Sequence, residues 1–317
     1  MAGRLTVARE IYLQTPALAV ALSPDGQYAA VGTETGLAVY NLAGEQLLVY
    51  PPPARPMPIH QLVFQAELNR LYAATRPGWV VALDLEREPA AWRYQPQPLY
   101  EAPNDVHTLS LSADEQTLAV GHLSPALSVL GADGQLRWRQ HPADGTATEG
   151  QTWSVAVAEA GDTLFVASAG SGVNRLLALD AQTGSRRAGC YLAPGQVAAR
   201  LAALPSGQGV AVVSVNDLYS TTLTALDAGL QARHWELTFD EPVTALAADR
   251  QLPVLVASVG FEGRLILLEA LTGRLLATQT VRTQVNGLAL AQGQVVAAAT
   301  EDGHLVLLRY VAEAGRL

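Results

Sequence analysis

His60 and His107 stand 47 residues apart, and Trp153 follows 46 residues later. Imidazole titrates near neutral pH, so such a pair could move protons, hold a transition metal or read a polar partner. Metal binding is the weakest reading. A site needs three or four protein ligands, and Asp105 is the one carboxylate close to His107 in sequence. Catalysis also lacks a third group that aligns beside the histidines. That leaves recognition, set against the plainer reading in which these side chains are half-buried and satisfied by backbone partners.

The spacing is not confined to three residues. Leu18, His60, His107, Trp153, Ala199, Thr244 and Asn286 recur at intervals of 42, 47, 46, 46, 45 and 42. A second series, Gly32, Thr75, Gly121, Ser168, Ser214, Ser258 and Thr300, recurs at 43, 46, 47, 46, 44 and 42. Each member of the second series ends a short apolar run such as "YAAVG", "LFVAS" or "VVAAAT". Two series with one long period mean a repeat protein.

Within a unit, four short runs alternate with turn residues: "LAVALS", "YAAVG", "GLAVYNL" and "EQLLVY". Four strands of about 6 residues with connections of about 5 account for the period without helices. No apolar stripe at helical spacing appears, and turns such as "SPDG", "TEDG" and "LDAQTG" recur at fixed offsets. The predicted fold is an all-β, seven-bladed propeller of four-stranded antiparallel blades. Its blades fall at about 16–50, 59–95, 106–140, 152–192, 197–238, 242–281 and 284–317 with 3–12, forming a single domain over 1–317. Residues 3–12 are predicted to supply the outer strand of the last blade, because "AGRL" opens the chain and closes it. "VAEAGRL" matches the turn of "LEALTGRLL", where the chain stops, and "AGRLTVAREIYL" supplies the remainder.

In that frame the first series marks one end of each inner strand. Three connections ahead of these strands are long and rich in Pro, Gly and polar residues: 51–58 with Arg55, 95–105 with Tyr100 and Asp105, and 141–151. Binding residues often sit on loops held by a rigid scaffold. The candidate partner-binding residues are therefore His60, His107, Trp153, Thr244, Asn286, Arg55, Tyr100 and Asp105.

Composition narrows the partners. A net charge of −9 argues against nucleic acid and anionic membranes, and no apolar run reaches the roughly 18 residues of a membrane span. All twenty basic residues are Arg. Cys190 stands alone, which excludes an internal disulfide. With no apolar leader at the start, the expected compartment is the cytoplasm and the expected state a monomer. No cofactor and no metal are expected. "GSGVNR" at 170–175 precedes a strand rather than a helix and is no phosphate loop. Trp92, Trp138 and Trp235 fall in outer strands, where packing between blades explains them. His122, His141, His234 and His304 share no ligand spacing.

Stretches such as "VALSPDGQYAAVGTETGLAVYNL" resemble the blades of seven-bladed WD-repeat propellers, and "LFVASAGSGVNRLLALDAQTG" resembles YVTN or quinoprotein-type blades. The resemblance runs over the whole chain. No blade ends in Trp-Asp, the Gly-His pair occurs only at Gly121-His122 in the wrong strand, and the vicinal cysteines of quinoprotein dehydrogenases are missing. It implies a fold more than an activity. The leading expectation is a non-enzymatic scaffold that binds a protein or peptide on the face of the long loops of blades one to four. The alternative is a small-molecule hydrolase of the propeller-lactonase kind, working at the channel mouth around His60, His107 and Asn286. A third is a docking or sensor module cut from a longer protein.

Overall fold

The computed structural model describes residues 3–50, 58–65, 70–75, 78–87, 92–101, 106–122, 126–140, 151–158, 161–170, 173–193, 195–217 and 220–312. The chain enters through β1 (Gly3–Tyr12) and then lays down its blades in order. Blade one is β2 (Ala17–Leu22), β3 (Tyr28–Thr33), β4 (Leu37–Asn41) and β5 (Gln46–Tyr50). Blade two is β6 (Ile59–Gln65), β7 (Arg70–Thr75), β8 (Trp79–Arg87) and β9 (Trp92–Glu101). Blade three is β10 (Val106–Leu111), β11 (Thr117–His122), β12 (Leu127–Gly131) and β13 (Leu136–Gln140). Blade four is β14 (Gln151–Val157), β15 (Thr163–Gly170), β16 (Val173–Asp180) and β17 (Arg186–Tyr191). Blade five is β18 (Val197–Leu204), β19 (Gly209–Val215), β20 (Thr221–Leu226) and β21 (Arg233–Phe239). Blade six is β22 (Val243–Ala248), β23 (Val254–Val259), β24 (Arg264–Glu269) and β25 (Leu275–Thr280). Blade seven is β26 (Val285–Ala291), β27 (Val295–Thr300) and β28 (His304–Ala312), completed by β1. The fold is a seven-bladed β-propeller.

Closure follows the sequence expectation. β1 runs antiparallel to β28, from Gly3 opposite Ala312 to Tyr12 opposite His304. Residues 313–317, which carry the second "AGRL", lie outside the described residues. One expectation needs correction. The stretch 95–105 is not one long loop, because β9 continues through Glu101. Its prolines do not break the strand, since an outermost strand has a free edge where a missing N–H costs no ladder bond.

Two compact units make up the fold: Met1–Ala73 with Ala82–Gln97 and Val243–Leu317, and Ala74–Val81 with Pro98–Pro242. In each, the core lies between the faces of neighbouring sheets. β28 shows how one strand serves two cores. Leu305 and Leu307 pack with Val20, Leu22 and Val31 of blade one, while Val306 and Leu308 pack with Val256, Leu265 and Leu267 of blade six. Successive side chains point to opposite faces of a strand, so a strand buried on both faces reads as an unbroken apolar run. Each such Leu is worth roughly 1.5–3 kcal/mol when fully buried. In the second unit, Leu164, Val166 and Leu177 do the same against blade three, and Phe165, Ala167 and Leu176 against blade five.

The series of small residues now has a cause. A Cβ on Gly32 would lie 2.4 Å from the Ile59 carbonyl oxygen of blade two, and one on Gly121 would lie 2.9 Å from the Thr152 methyl of blade four. The neighbouring inner strand passes too close for a larger side chain. Polar residues tie blades as well as turns. The Ser110 hydroxyl accepts the Val157 N–H at 3.0 Å, and one blade on the Ser154 hydroxyl accepts that of Leu201 at 3.0 Å. Trp138 Nε1 donates to the Ala181 carbonyl at 2.9 Å, so this outer-strand indole bridges blades three and four. Buried Asp249 accepts N–H bonds from Gln251 and Leu252 in its own turn and from Gly293 of blade seven at 2.6 Å.

Candidate functional edge

In blades one, three, four, five, six and seven, the pairing of inner and second strand slips at the same place. The shifts fall between Ala17 and Ala19, Val106 and Thr108, Thr152 and Ser154, Ala198 and Arg200, Val243 and Ala245, and Val285 and Gly287. The extra residue is Leu18, His107, Trp153, Ala199, Thr244 or Asn286. His60 holds the same position in β6 by sequence. The series picked out by spacing is therefore a series of β-bulges. A bulge leaves one residue out of the ladder and re-aims its side chain.

In the first unit these residues are Leu18, His60, Thr244 and Asn286, all half-buried. Asn286 is held in place: its Nδ2 donates to the Ala17 carbonyl at 3.0 Å, and Gln284 Nε2 donates to its Oδ1 at 3.3 Å. In the second unit His107 and Ala199 are half-buried, and the Trp153 backbone lies in β14. The Trp153 and Tyr100 side chains, with Arg55 and Asp105 and most of the connections 51–58 and 141–151, lie outside the described residues.

Two arginines escaped the reading of the sequence. Arg200 follows the bulge of blade five, where the equivalent residues of other blades are Ala19, Gln61, Thr108, Ser154, Ala245 and Gly287. It reaches solvent, yet desolvation by the surrounding protein lowers its pKa below the usual arginine value. Its signal was a large cation in a column of mostly small residues. Arg250, in the turn after β22, donates from Nη2 to the Phe64 carbonyl of blade two at 3.3 Å. A contact across 186 positions leaves no local trace in sequence.

The remaining histidines have local roles. His122 is fully buried and its Nε2 lies 3.0 Å from the Ser128 hydroxyl, which also accepts from Arg139 Nε at 3.3 Å. Desolvation first, and the Arg139 charge second, lower its pKa to about 4. His304 Nδ1 meets Asp302 at 3.1 Å and its ring lies 5.0 Å from that of Tyr12. His234 is exposed, and His141 lies outside the described residues. Among the described residues, no three His, Cys, Asp or Glu side chains converge as a metal site. No helix among them is long and apolar enough to cross a membrane.

Seven four-stranded antiparallel blades, six of them with a bulge at the head of the inner strand, define the class: a β-propeller built from degenerate repeats. A family model described as outer membrane protein assembly factor BamB matches residues 59–252 and again 114–310. The chain belongs to this family of propeller repeats. Two overlapping matches of one model reflect the internal repetition. Comparison with curated protein sequences finds no match. Among solved structures, the chain is similar to Raptor from Chaetomium thermophilum, with a TM-score of 0.79 at 12% identity over 98% of this chain. That overlap covers 29% of the Raptor chain, so the likeness is one of fold.

Proposed function

We propose that this chain is a non-enzymatic interaction scaffold that binds a protein or peptide, as a cytoplasmic monomer, along the edge carrying the bulges. The observation that supports this is the repeated bulge itself. The ladder around it is nearly invariant from blade to blade, while the residue it re-aims is Leu, His, Trp, Ala, Thr or Asn in turn. A regular ladder that presents a different side chain at each bulge suits recognition of a partner. In sequence, the connections of blades one to four lead into the heads of β6, β10 and β14.

His60, His107 and Trp153 are the residues chosen for the test. Partner capture from native lysate, followed by titration of the purified partner, would be compared for the parent, the His60→Ala/His107→Ala pair and Trp153→Ala. The pair should weaken binding at unchanged melting temperature. Trp153→Ala should cost about 2 kcal/mol of binding as an aromatic hot spot. A lactone-hydrolysing activity that disappears in the double variant would replace this reading with the hydrolase. A melting temperature that collapses in Trp153→Ala would place the indole in packing and remove it from the binding edge.

A further inference from the structure

Beside the bulges of the first unit lie the turns between second and third strands of blades six, seven and one. This surface begins with Phe261, 59% exposed at the tip of the β23–β24 turn. That turn is fixed against the connection behind it. Val281 donates its N–H to the Gly263 carbonyl at 3.0 Å, and a Cβ on Gly263 (φ +70°) would lie 2.1 Å from the Thr283 carbonyl oxygen. From Thr283 the surface passes to Arg282, which reaches Glu10 at 3.3 Å and Asp302 at 3.4 Å. Glu301 donates its N–H to the Gln284 carbonyl at 2.9 Å, tying the blade-seven turn to the same connection. Asp302 meets His304, and His304 packs on Tyr12, which is 64% exposed. Leu13 then donates its N–H to the Gly303 carbonyl at 2.8 Å. Three backbone bonds thus join four segments, the blade-six turn, the connection 281–284, the blade-seven turn and the stretch after β1, into one surface with an exposed aromatic ring toward each end.

Its charge is lopsided. Glu10, Glu262, Glu301 and Asp302 lie on it, Glu34 takes the matching place in the blade-one turn, and Arg264 and Arg282 are the cations of these segments. Arg282 is engaged by Glu10 and Asp302. Glu34, Glu262 and Glu301 are exposed, each in the turn of a successive blade, with no ion pair among the described residues. Burial would raise the Asp302 carboxyl, but the Thr300 hydroxyl, His304 and Arg282 offset this and hold it below its usual range. Carboxylates without an ion pair among the described residues, with exposed aromatics on the same turns and connections, offer a cationic, partly apolar segment both charge and stacking partners. A preformed surface also loses little entropy on binding.

We infer that the turns of blades six, seven and one dock a basic peptide segment carrying apolar side chains, with Tyr12 and Phe261 as its apolar contacts and Glu34, Glu262 and Glu301 as its charge contacts. This rests on the scaffold reading and names the chemistry of a partner, at the turns that adjoin the bulges of blades six, seven and one rather than at the bulge residues themselves.

The test uses the full chain and a fluorescent peptide rich in lysine and leucine, with a glutamate-for-lysine peptide as control. The basic peptide should bind, the acidic one should not, and affinity should fall as salt is raised. The Glu34→Gln/Glu262→Gln/Glu301→Gln variant should lose roughly tenfold in affinity at unchanged melting temperature, since each exposed pair contributes modestly. Tyr12→Ser/Phe261→Ser should lose a similar factor without changing the salt slope. The chain contains no lysine, so carbodiimide coupling must join its carboxylates to the lysines of the peptide, and mass spectrometry should find Glu262 and Glu301 among them. Equal affinity for both peptides, or an unchanged affinity in both variants, overturns the inference. Peptide binding lost in His60→Ala/His107→Ala but kept in the glutamine variant would overturn it too, while leaving the scaffold reading intact.

Discussion

At the scale of the residue, His122 makes the clearest statement about pH. It is neutral and buried in the fold, with a pKa lowered to about 4 from the usual 6.5. The neutral form is the one the fold favours. Stability from this site is therefore complete above the unfolded value and is lost as pH falls from about 6.5 toward 4. The full loss is on the order of 3 kcal/mol. His122→Gln keeps a partner for the Ser128 hydroxyl but cannot take up a proton. Melting temperature measured between pH 7.5 and 4.5 should fall in the parent and stay flatter in this variant. Equal slopes would show that His122 takes up a proton in the fold as readily as in the unfolded chain. The carboxylates held below their usual range, Asp162 and Asp180 by Arg187 above all, act only at lower pH and do not confuse the window. The residues of the bulge row were legible because a regular period marks equivalent positions. That they are bulges was not, since register is a property of two strands. Arg200 was missed because it stands one place beyond the column being followed.

At the scale of the element, strands and turns were legible for local reasons. "LDAQTG" reads as a turn because Asp180 Oδ1 accepts the N–H groups of Gln182 and Thr183 at 3.0 and 2.8 Å. β9 was cut short in the reading because "QPQPLYE" looks like a loop. An edge strand tolerates what a central one would not, and edge position follows only from the assembled sheet. β1 is the element with the largest consequence. It covers β28 along nine paired positions from Gly3 to Tyr12 and adds Leu5 to the core between blades six and seven. Deleting residues 3–12 removes that cover and exposes a long apolar strand edge, which promotes association. The deleted protein should melt several degrees lower and appear as larger species in size-exclusion chromatography. A monomer that melts like the parent would mean that β28 needs no partner.

At the scale of the whole molecule, repetition explains both what the sequence disclosed and what it withheld. A period of 42 to 47 residues in two independent columns is enough to define seven blades. The same repetition hides function, because every blade is built alike and a binding edge differs from a bare one only in a few side chains. The central claim is that a partner is read at the heads of the inner strands, where the bulges lie. Hydrogen–deuterium exchange of the chain with and without its captured partner tests it most directly. Added protection is predicted around residues 58–61, 106–108, 151–154 and 284–287, at the starts of β6, β10, β14 and β26. Protection confined to the opposite ends of inner strands, around the turns at 23–27, 112–116 and 249–253 after β2, β10 and β22, would contradict the claim.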